Sequence, residues 1–208
     1  MEKANVTVTA TFDEDMDSST DVKIAISGVS TVAATNMTRS SATVYTYTYT
    51  VPAGDGTDTF VLSNGQDVAG NALNTTPNSN TVEVDNTKPV FSLLNISNNA
   101  YVKHTNIGYT LSETVASGTV KWTRTSGTAD ASSPHTANLA GSDLYLGASA
   151  AASLTNGPTL VDGTVYTVAF NATDEAGNVA DEVSVTGVTF DTTAPSAALT
   201  YSPDRAYK

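Results

Sequence analysis

The chain has no cysteine, which excludes a disulfide framework and any zinc site built on thiolates. Basic residues are scarce as well: nine Lys and Arg stand singly against 21 Asp and Glu, for a net charge of −12. Such a surface repels phosphate groups, so we expect neither nucleic acid nor an anionic membrane as a partner. We find no run of 18 apolar residues and no basic-then-apolar leader, so we expect no membrane insertion and place any export signal outside these residues.

The length of the chain exceeds one small sandwich domain. Its 208 residues suit two domains of roughly 100 residues each. Hydrophobic residues make up 39%, which is enough for two modest cores, so we do not expect disorder.

Two copies of one unit follow each other along the chain. Three phrases recur 106 or 107 residues apart, and an earlier one recurs 99 residues apart. The matched phrases are 55–57 with 162–164, 67–71 with 174–178, 85–89 with 191–195, and 11–14 with 110–113. The smaller first offset means that the middle of the second copy is longer by about eight residues, as a loop insertion would make it.

Apolar residues alternate with polar ones in both copies, which predicts half-buried strands. Gly187 interrupts one alternation and predicts a bulge, and only 148–154 resembles a helix. The predicted inward sets are Val6/Val8/Ala10/Phe12, Val22/Ile24/Ile26, Tyr45/Tyr47/Tyr49, Phe60/Leu62, Val82/Val84, Ile107/Tyr109/Leu111, Val120/Trp122, Tyr166/Val168/Phe170 and Val183/Val185. Among them we expect Phe12, Ile24, Phe60, Trp122, Tyr166 and Phe170 to be buried. The pattern predicts an all-β fold of antiparallel sandwiches.

The linkers Asp-x-Thr-x-Pro, the turns Asp-x-Ala-Gly-Asn and the strand end at 11–16 resemble tandem bacterial Ig-like repeats. This resemblance covers nearly the whole chain and implies two tandem Ig-like sandwiches in a rod, as in the stalks of large secreted surface proteins and adhesins. Residues 160–166 resemble the tyrosine corner of fibronectin III and immunoglobulin domains, in which a Tyr hydroxyl bonds to upstream backbone. By count, the first copy has Thr59 where the second has Tyr166. Trp122 matches the tryptophan of Ig strand C.

Three segments follow from the repeat: 1–87 as an Ig-like sandwich lacking its first strand, 88–193 as a complete one, and 194–208 as the first strand of a following repeat. In the second copy Pro89–Asn98 supplies the first strand, and residues 195–203 repeat it, with Ala206 and Tyr207 in register with Ala100 and Tyr101. A sandwich without its first strand exposes an unpaired edge. We therefore expect residues 195–207 either to join another copy head to tail by strand donation, which generates open filaments, or to form a frayed tail.

Catalytic motifs are missing from the sequence. His104 and His135 lie beside no nucleophile, and we expect both to be solvated loop residues. There is no Gly-x-Ser-x-Gly and no phosphate-binding glycine loop, and the carboxylates lie in predicted turns, where Asp caps backbone amides. The stripe of Tyr45, Tyr47 and Tyr49 suits a core face better than a sugar-stacking platform. The sequence predicts no enzyme activity.

Calcium is the one cofactor that the carboxylates suggest. Residues 13–17 open like an EF-hand loop, but Ser18 and Ile24 stand where Gly and Glu are needed. The order of loops in a seven-strand sandwich instead brings Asp85 of the linker toward Glu113 and Asp174, with Asp55 nearby. Converging carboxylates need a hard cation, and Ca²⁺ takes six to eight oxygens.

The linker at 85–91 also looks like that of cadherins, in which calcium rigidifies a rod. Equivalent positions of the first copy are Glu14 and Asp67, which would meet a linker of the Asp191 type. The competing interpretation is that each Asp only caps its own turn.

Three functions compete. The first is a structural extender, or stalk segment, of an extracellular bacterial adhesin or surface filament, whose partners are neighbouring repeats or copies of itself. The second is an accessory sandwich of a secreted polysaccharide-active enzyme. The third is a ligand-binding module that uses the loops around Ser132–Pro158, for example for glycans.

Overall fold

A computed structural model describes residues 5–149 and 157–200. In these ranges the chain is strand and loop, with one short 3-10 helix at Gly141–Leu144. This confirms the all-β class with antiparallel sheets of the Ig-like sandwich type. Of the helix-like stretch, Ala148 and Ser149 belong to a strand, and 150–154 fall outside the described residues. The chain divides into two units, Met1–Thr87 and Lys88–Lys208.

Over residues 5–87, the part of the first unit that the structure describes, there are seven strands in two sheets. They are β1 (Asn5–Thr11), β2 (Lys23–Ser27), β3 (Val32–Asn36), β4 (Thr38–Arg39), β5 (Val44–Thr50), β6 (Gly56–Ser63) and β7 (Thr81–Val84). One sheet has the order β1-β5-β4 and the other β3-β2-β6-β7, with every pairing antiparallel.

Along each of these strands, every second side chain points into the core between the two sheets. The buried apolar residues are Met16, Val22, Ile24, Ile26, Met37, Tyr45, Tyr49, Phe60 and Leu62. Because Tyr45 and Tyr49 are 2% and 3% exposed, the tyrosine stripe is a core face, as predicted. Tyr49 packs edge-on against Phe60 at a centroid distance of 5.6 Å.

In the second unit, residues 88–149 and 157–200 are described and contain eight strands. They are β8 (Phe91–Ser92), β9 (Tyr101–Val102), β10 (Tyr109–Leu111), β11 (Ser117–Gly127), β12 (His135–Asn138), β13 (Gly147–Ser149), β14 (Thr164–Thr173) and β15 (Val183–Phe190). The sheets have the orders β13-β10-β8 and β12-β11-β14-β15-β9. All pairs are antiparallel except β15 with β9, which run parallel.

Aromatic rings form the centre of this second core. Trp122 and Tyr166 are fully buried and meet edge-on at 5.8 Å. Phe91 from β8 packs on Tyr109 at 5.2 Å and on Phe170 at 5.6 Å. The burial predicted for Trp122, Tyr166 and Phe170 is confirmed.

The prediction that Phe12 is buried is wrong. Phe12 is partly exposed and packs at the margin of its core, where it meets Tyr45 edge-on at 5.8 Å. Its counterpart in the second copy, Leu111, is 1% exposed because β8 covers that strand through the pair Leu111↔Phe91. No described strand plays this part in the first unit, where β1 pairs with β5 alone.

The bulge predicted at Gly187 is present. The β14–β15 register shifts between Tyr166↔Val188 and Val168↔Val185, and Gly187 has φ +72. A Cβ there would come within 2.4 Å of the Asn99 side chain, so both the backbone angle and the space require glycine.

Candidate functional sites

Each unit holds the first residues of its own outgoing linker through one carboxylate. In the first unit, Asp55 accepts hydrogen bonds from the Asn86 amide at 2.6 Å and the Thr87 hydroxyl at 2.6 Å. In the second, Asp162 accepts them from the Thr192 amide at 2.5 Å and the Thr193 hydroxyl at 2.8 Å. The repeated phrases Asp-Gly-Thr and Asp-x-Thr therefore form one clamp, made twice.

The linker aspartates complete this clamp. Asp85 accepts a hydrogen bond from the Thr87 amide, and Asp191 accepts one from the Thr193 amide, both at 2.9 Å. Donated hydrogen bonds favour the charged carboxylate. The pKa of Asp55 lies below its usual value, chiefly because of the bond from the Thr87 hydroxyl. The pKa of Asp162 is lowered too, chiefly by the bond from the Thr192 amide.

The Asp-x-Ala-Gly-Asn turn is also made twice with the same bonds. Asp67 accepts from the backbone and side-chain amides of Asn71 at 2.8 and 2.6 Å, and Asp174 accepts from those of Asn178 at 2.8 and 2.8 Å. The glycines of the two turns have φ +90 and +92. The turn-capping role that the sequence left open is thus present in both copies.

The tyrosine corner predicted for the second unit is confirmed, and it extends further than the sequence indicated. The Tyr166 hydroxyl accepts from the Val161 amide at 3.1 Å and donates to Asp130 at 2.7 Å. Burial raises the pKa of Tyr166, and the Asp130 carboxylate raises it further. His135 lies 2.6 Å from the same Asp130 oxygen.

His135 corrects an expectation. It lies on β12 with a side chain only 14% exposed and pairs with Asp130, whose side chain is 2% exposed, so it is not a solvated loop residue. His104 is exposed, as expected. Nothing in the spacing of Asp130 and His135 marks them as partners, since the loop conformation between β11 and β12 brings them together.

The stability of the second unit should depend on pH through Asp130. Hydrogen bonds from Tyr166 and then His135 lower its pKa from 3.8 to about 2. A carboxyl group whose pKa is lowered by folding stabilises the folded state at pH values above its pKa in the unfolded chain. This contribution is lost as pH falls from about 4 to about 2. We expect urea unfolding, followed by Trp122 fluorescence, to show this loss, and Asp130→Asn to show a shallower slope over the same window. An identical slope in the variant would contradict the assignment.

The first unit stabilises its corner with a buried aspartate. Asp58 is 0% exposed and accepts hydrogen bonds from the Tyr49 hydroxyl at 2.6 Å and the Ser30 amide at 2.7 Å. Burial acts to raise the pKa of Asp58, but these bonds outweigh it and the pKa lies below its usual value.

The position matched by count to Tyr166 is wrong. Thr59 does not face the core, whereas Asp58, Phe60 and Leu62 do. In the pairing with the following strand, Asp58 lies opposite Val82 and Tyr166 lies opposite Val188, and these two valines are matching residues of the repeat. The alternating run Asp58-x-Phe60-x-Leu62 could have shown this from the sequence, since it places the Asp58 carboxylate on the same face as two core residues.

The residues predicted to bind calcium are distributed over both units. Asp85, Glu14 and Asp67 belong to the first, and Glu113, Asp174 and Asp191 to the second. Glu14 is exposed and Asp67 is 6% exposed, and both line one groove. Asp174 is 3% exposed. Calcium binding by these residues stays a prediction.

A family model for the bacterial Ig-like domain matches residues 85–192, a little more than half of the chain. The chain therefore belongs to the bacterial Ig-like domain family, as its linkers and turns indicated. It is a bacterial surface or extracellular module, since domains of this family typically occur in such proteins. No curated protein matches it significantly. Among the described residues, no helix is long and apolar enough to cross a membrane.

Proposed function

We propose that the chain is a structural extender, a stalk segment of a bacterial extracellular adhesin or surface filament, with no catalytic role. The duplicated clamp carries this proposal. In each unit an Asp of the Asp-Gly-Thr turn fixes the two residues after the linker aspartate. A module that holds its outgoing chain at a defined point suits a series of repeats.

Two further observations support a structural role. Tyr45 and Tyr49 of β5 are buried in the core, so they are not available for sugar stacking. His135, which could have served as a base, is paired with the buried carboxylate of Asp130. The rod arrangement and the partners, neighbouring repeats or copies of the chain joined through residues 195–207, are part of the same proposal.

The flanking gene sequence tests this proposal directly. We expect further Ig-like repeats on both sides of these residues. A catalytic domain for polysaccharides in the same gene would favour the accessory module instead. Specific binding on a glycan array would favour the ligand-binding module, whereas a stalk segment should bind no glycan.

We also propose that Asp85, Glu113 and Asp174 bind Ca²⁺ through their carboxylates. Millimolar Ca²⁺ should raise the melting temperature, because a ligand that binds only the folded state stabilises it, by about 2.7 kcal/mol at one hundred times Kd. Asp85→Asn should abolish the rise, whereas Glu83→Gln, on an exposed residue of β7, should preserve it. A melting temperature that is the same in Ca²⁺ and in chelator would rule calcium out.

A further inference from the structure

The linker, residues 85–90, connects the two units, and its first part is bound to a turn of the first unit. The backbone amide of Asn86 donates to Asp55 at 2.6 Å. The side-chain amide of Asn86 donates to the backbone carbonyls of Pro52 at 3.2 Å and Gly54 at 2.6 Å. Asn86 is therefore attached to this turn both by its backbone and by its side chain.

The second copy has the clamp without these side-chain bonds. Thr192 takes the place of Asn86, and its hydroxyl donates to Asp162 at 2.7 Å. Because a hydroxyl group has a single hydrogen to donate, none is left for the carbonyls of the turn. The amide group of an asparagine has two hydrogens to donate and can serve two carbonyls. Asn86 thus adds to the first linker an attachment that the clamp alone does not provide.

The last residue of the linker is attached to the second unit. The Val90 amide donates to the Ser112 hydroxyl at 2.9 Å, and the Val90 carbonyl accepts from the Ser112 amide at 3.1 Å. These two bonds fix Val90 beside the end of β10. Only Lys88 and Pro89 lie between the two attached parts of the linker.

Lys88 and Pro89 have little backbone freedom of their own. Each residue has two soft dihedral angles, but the ring of Pro89 fixes its φ. The same ring disfavours the helical region for the preceding residue, so Lys88 is restricted to extended conformations. The Lys88 side chain also pairs with Asp181 at 2.5 Å, but both side chains are exposed, and such a pair contributes little.

We propose that residues 85–90 form a stiff linker that needs no calcium, and that Asn86 is the residue that fixes it to the turn. The evidence for this inference lies in the linker bonds, and its purpose rests on the proposed structural function. A stalk segment built in this way keeps its linker ordered in a medium without divalent cations. Calcium bound at Asp85 would add to this stiffness without being its source.

Nitrogen-15 relaxation of the full chain, recorded in the presence of a chelator, tests the stiffness. We expect the amides of Asn86, Thr87, Lys88 and Val90 to have order parameters of about 0.85, the value of rigid backbone. Order parameters below about 0.6, as in flexible segments, would overturn the proposal. Values that reach the rigid range only after Ca²⁺ is added would overturn it as well.

Asn86→Thr separates the side-chain bonds from the clamp, because it gives the first linker the residue that the second linker has. The variant keeps a hydroxyl for Asp55 and loses both bonds to the turn carbonyls. We expect the Thr87 amide to exchange its hydrogen with solvent on the order of tenfold faster than in the wild type, as the loss of two neutral hydrogen bonds predicts. The matched control is Asn78→Thr, at an exposed asparagine outside the linker, which should leave this rate unchanged.

Equal exchange rates in Asn86→Thr and in the wild type would show that the Asn86 side chain does not fix the linker, and the proposal would fail. An equal acceleration in Asn78→Thr would contradict it too, since the effect would then not arise in the linker. Urea unfolding curves establish that both variants are folded. Each of these failures would leave the stalk proposal standing, because that depends on the flanking repeats.

Discussion

Replacing Trp122 with Ala should destabilise the second unit by about 3–5 kcal/mol, the usual cost of removing a buried aromatic side chain. Trp122 is fully buried, with 0% of its surface exposed to solvent. It lies on β11 between β12 and β14 and contacts Tyr166 edge-on. Its loss leaves a cavity that two paired strands cannot close. Urea unfolding followed by far-UV circular dichroism measures the effect.

Trp122→Phe is the informative control. Among the described residues, the indole N–H of Trp122 has no hydrogen-bond partner, so phenylalanine removes no hydrogen bond and keeps most of the buried ring. We expect a much smaller loss for Phe than for Ala, and none for Lys121→Ala at the exposed neighbour. A Trp122→Ala chain that unfolds at the wild-type urea concentration would contradict this account of the core.

Replacing Asp58 with Ala should cost the first unit about 2–3 kcal/mol. Hydrogen bonds to a charged group are worth about 1.5–3 kcal/mol, and a buried partner left without its bond adds a desolvation penalty. Here the Tyr49 hydroxyl, in the core, and the Ser30 amide would both lose their acceptor.

Asp58→Asn keeps the shape and one acceptor oxygen, so it should cost less than Asp58→Ala. The unfolding of the two units can be followed separately, because the single tryptophan lies in the second unit. We expect the Trp122 fluorescence transition to stay in place while part of the circular dichroism transition moves to lower urea. If Asp58→Ala unfolds like the wild type, the carboxylate does not support the corner.

The repeat and the alternation carried the fold prediction. Matched phrases located the turns and linkers, and the structure has the same turn-capping bonds and closely similar clamp bonds in both copies. The bonds of the capped turns join residues only a few positions apart. The Gly187 bulge follows from sequence because a glycine interrupts the alternation. The clamps join a turn to a linker about 30 positions away, and the sequence analysis did not predict them.

The errors occurred where burial depends on a distant strand. Phe12 has the same place in the alternation as Leu111, but only the strand of Leu111 has β8 paired beside it. Thr59 matches Tyr166 by count, but the strand pairing gives Asp58 the place of Tyr166. Alternation specifies which side chains share a face, and it carries no information about what covers that face.

The sequence by itself determined the all-β class, the two copies, the Gly187 bulge and the tyrosine corner, because each depends on short-range pattern or on repetition. Only the tertiary structure decided that Asp130, His135 and Tyr166 form one network and that Asp58 replaces the corner tyrosine. Asp130 bonds to His135 and Tyr166, which are 5 and 36 positions away, and Asp58 bonds to Tyr49, which is 9 positions away. No spacing rule relates these residues, and they meet only in the geometry of the packed core.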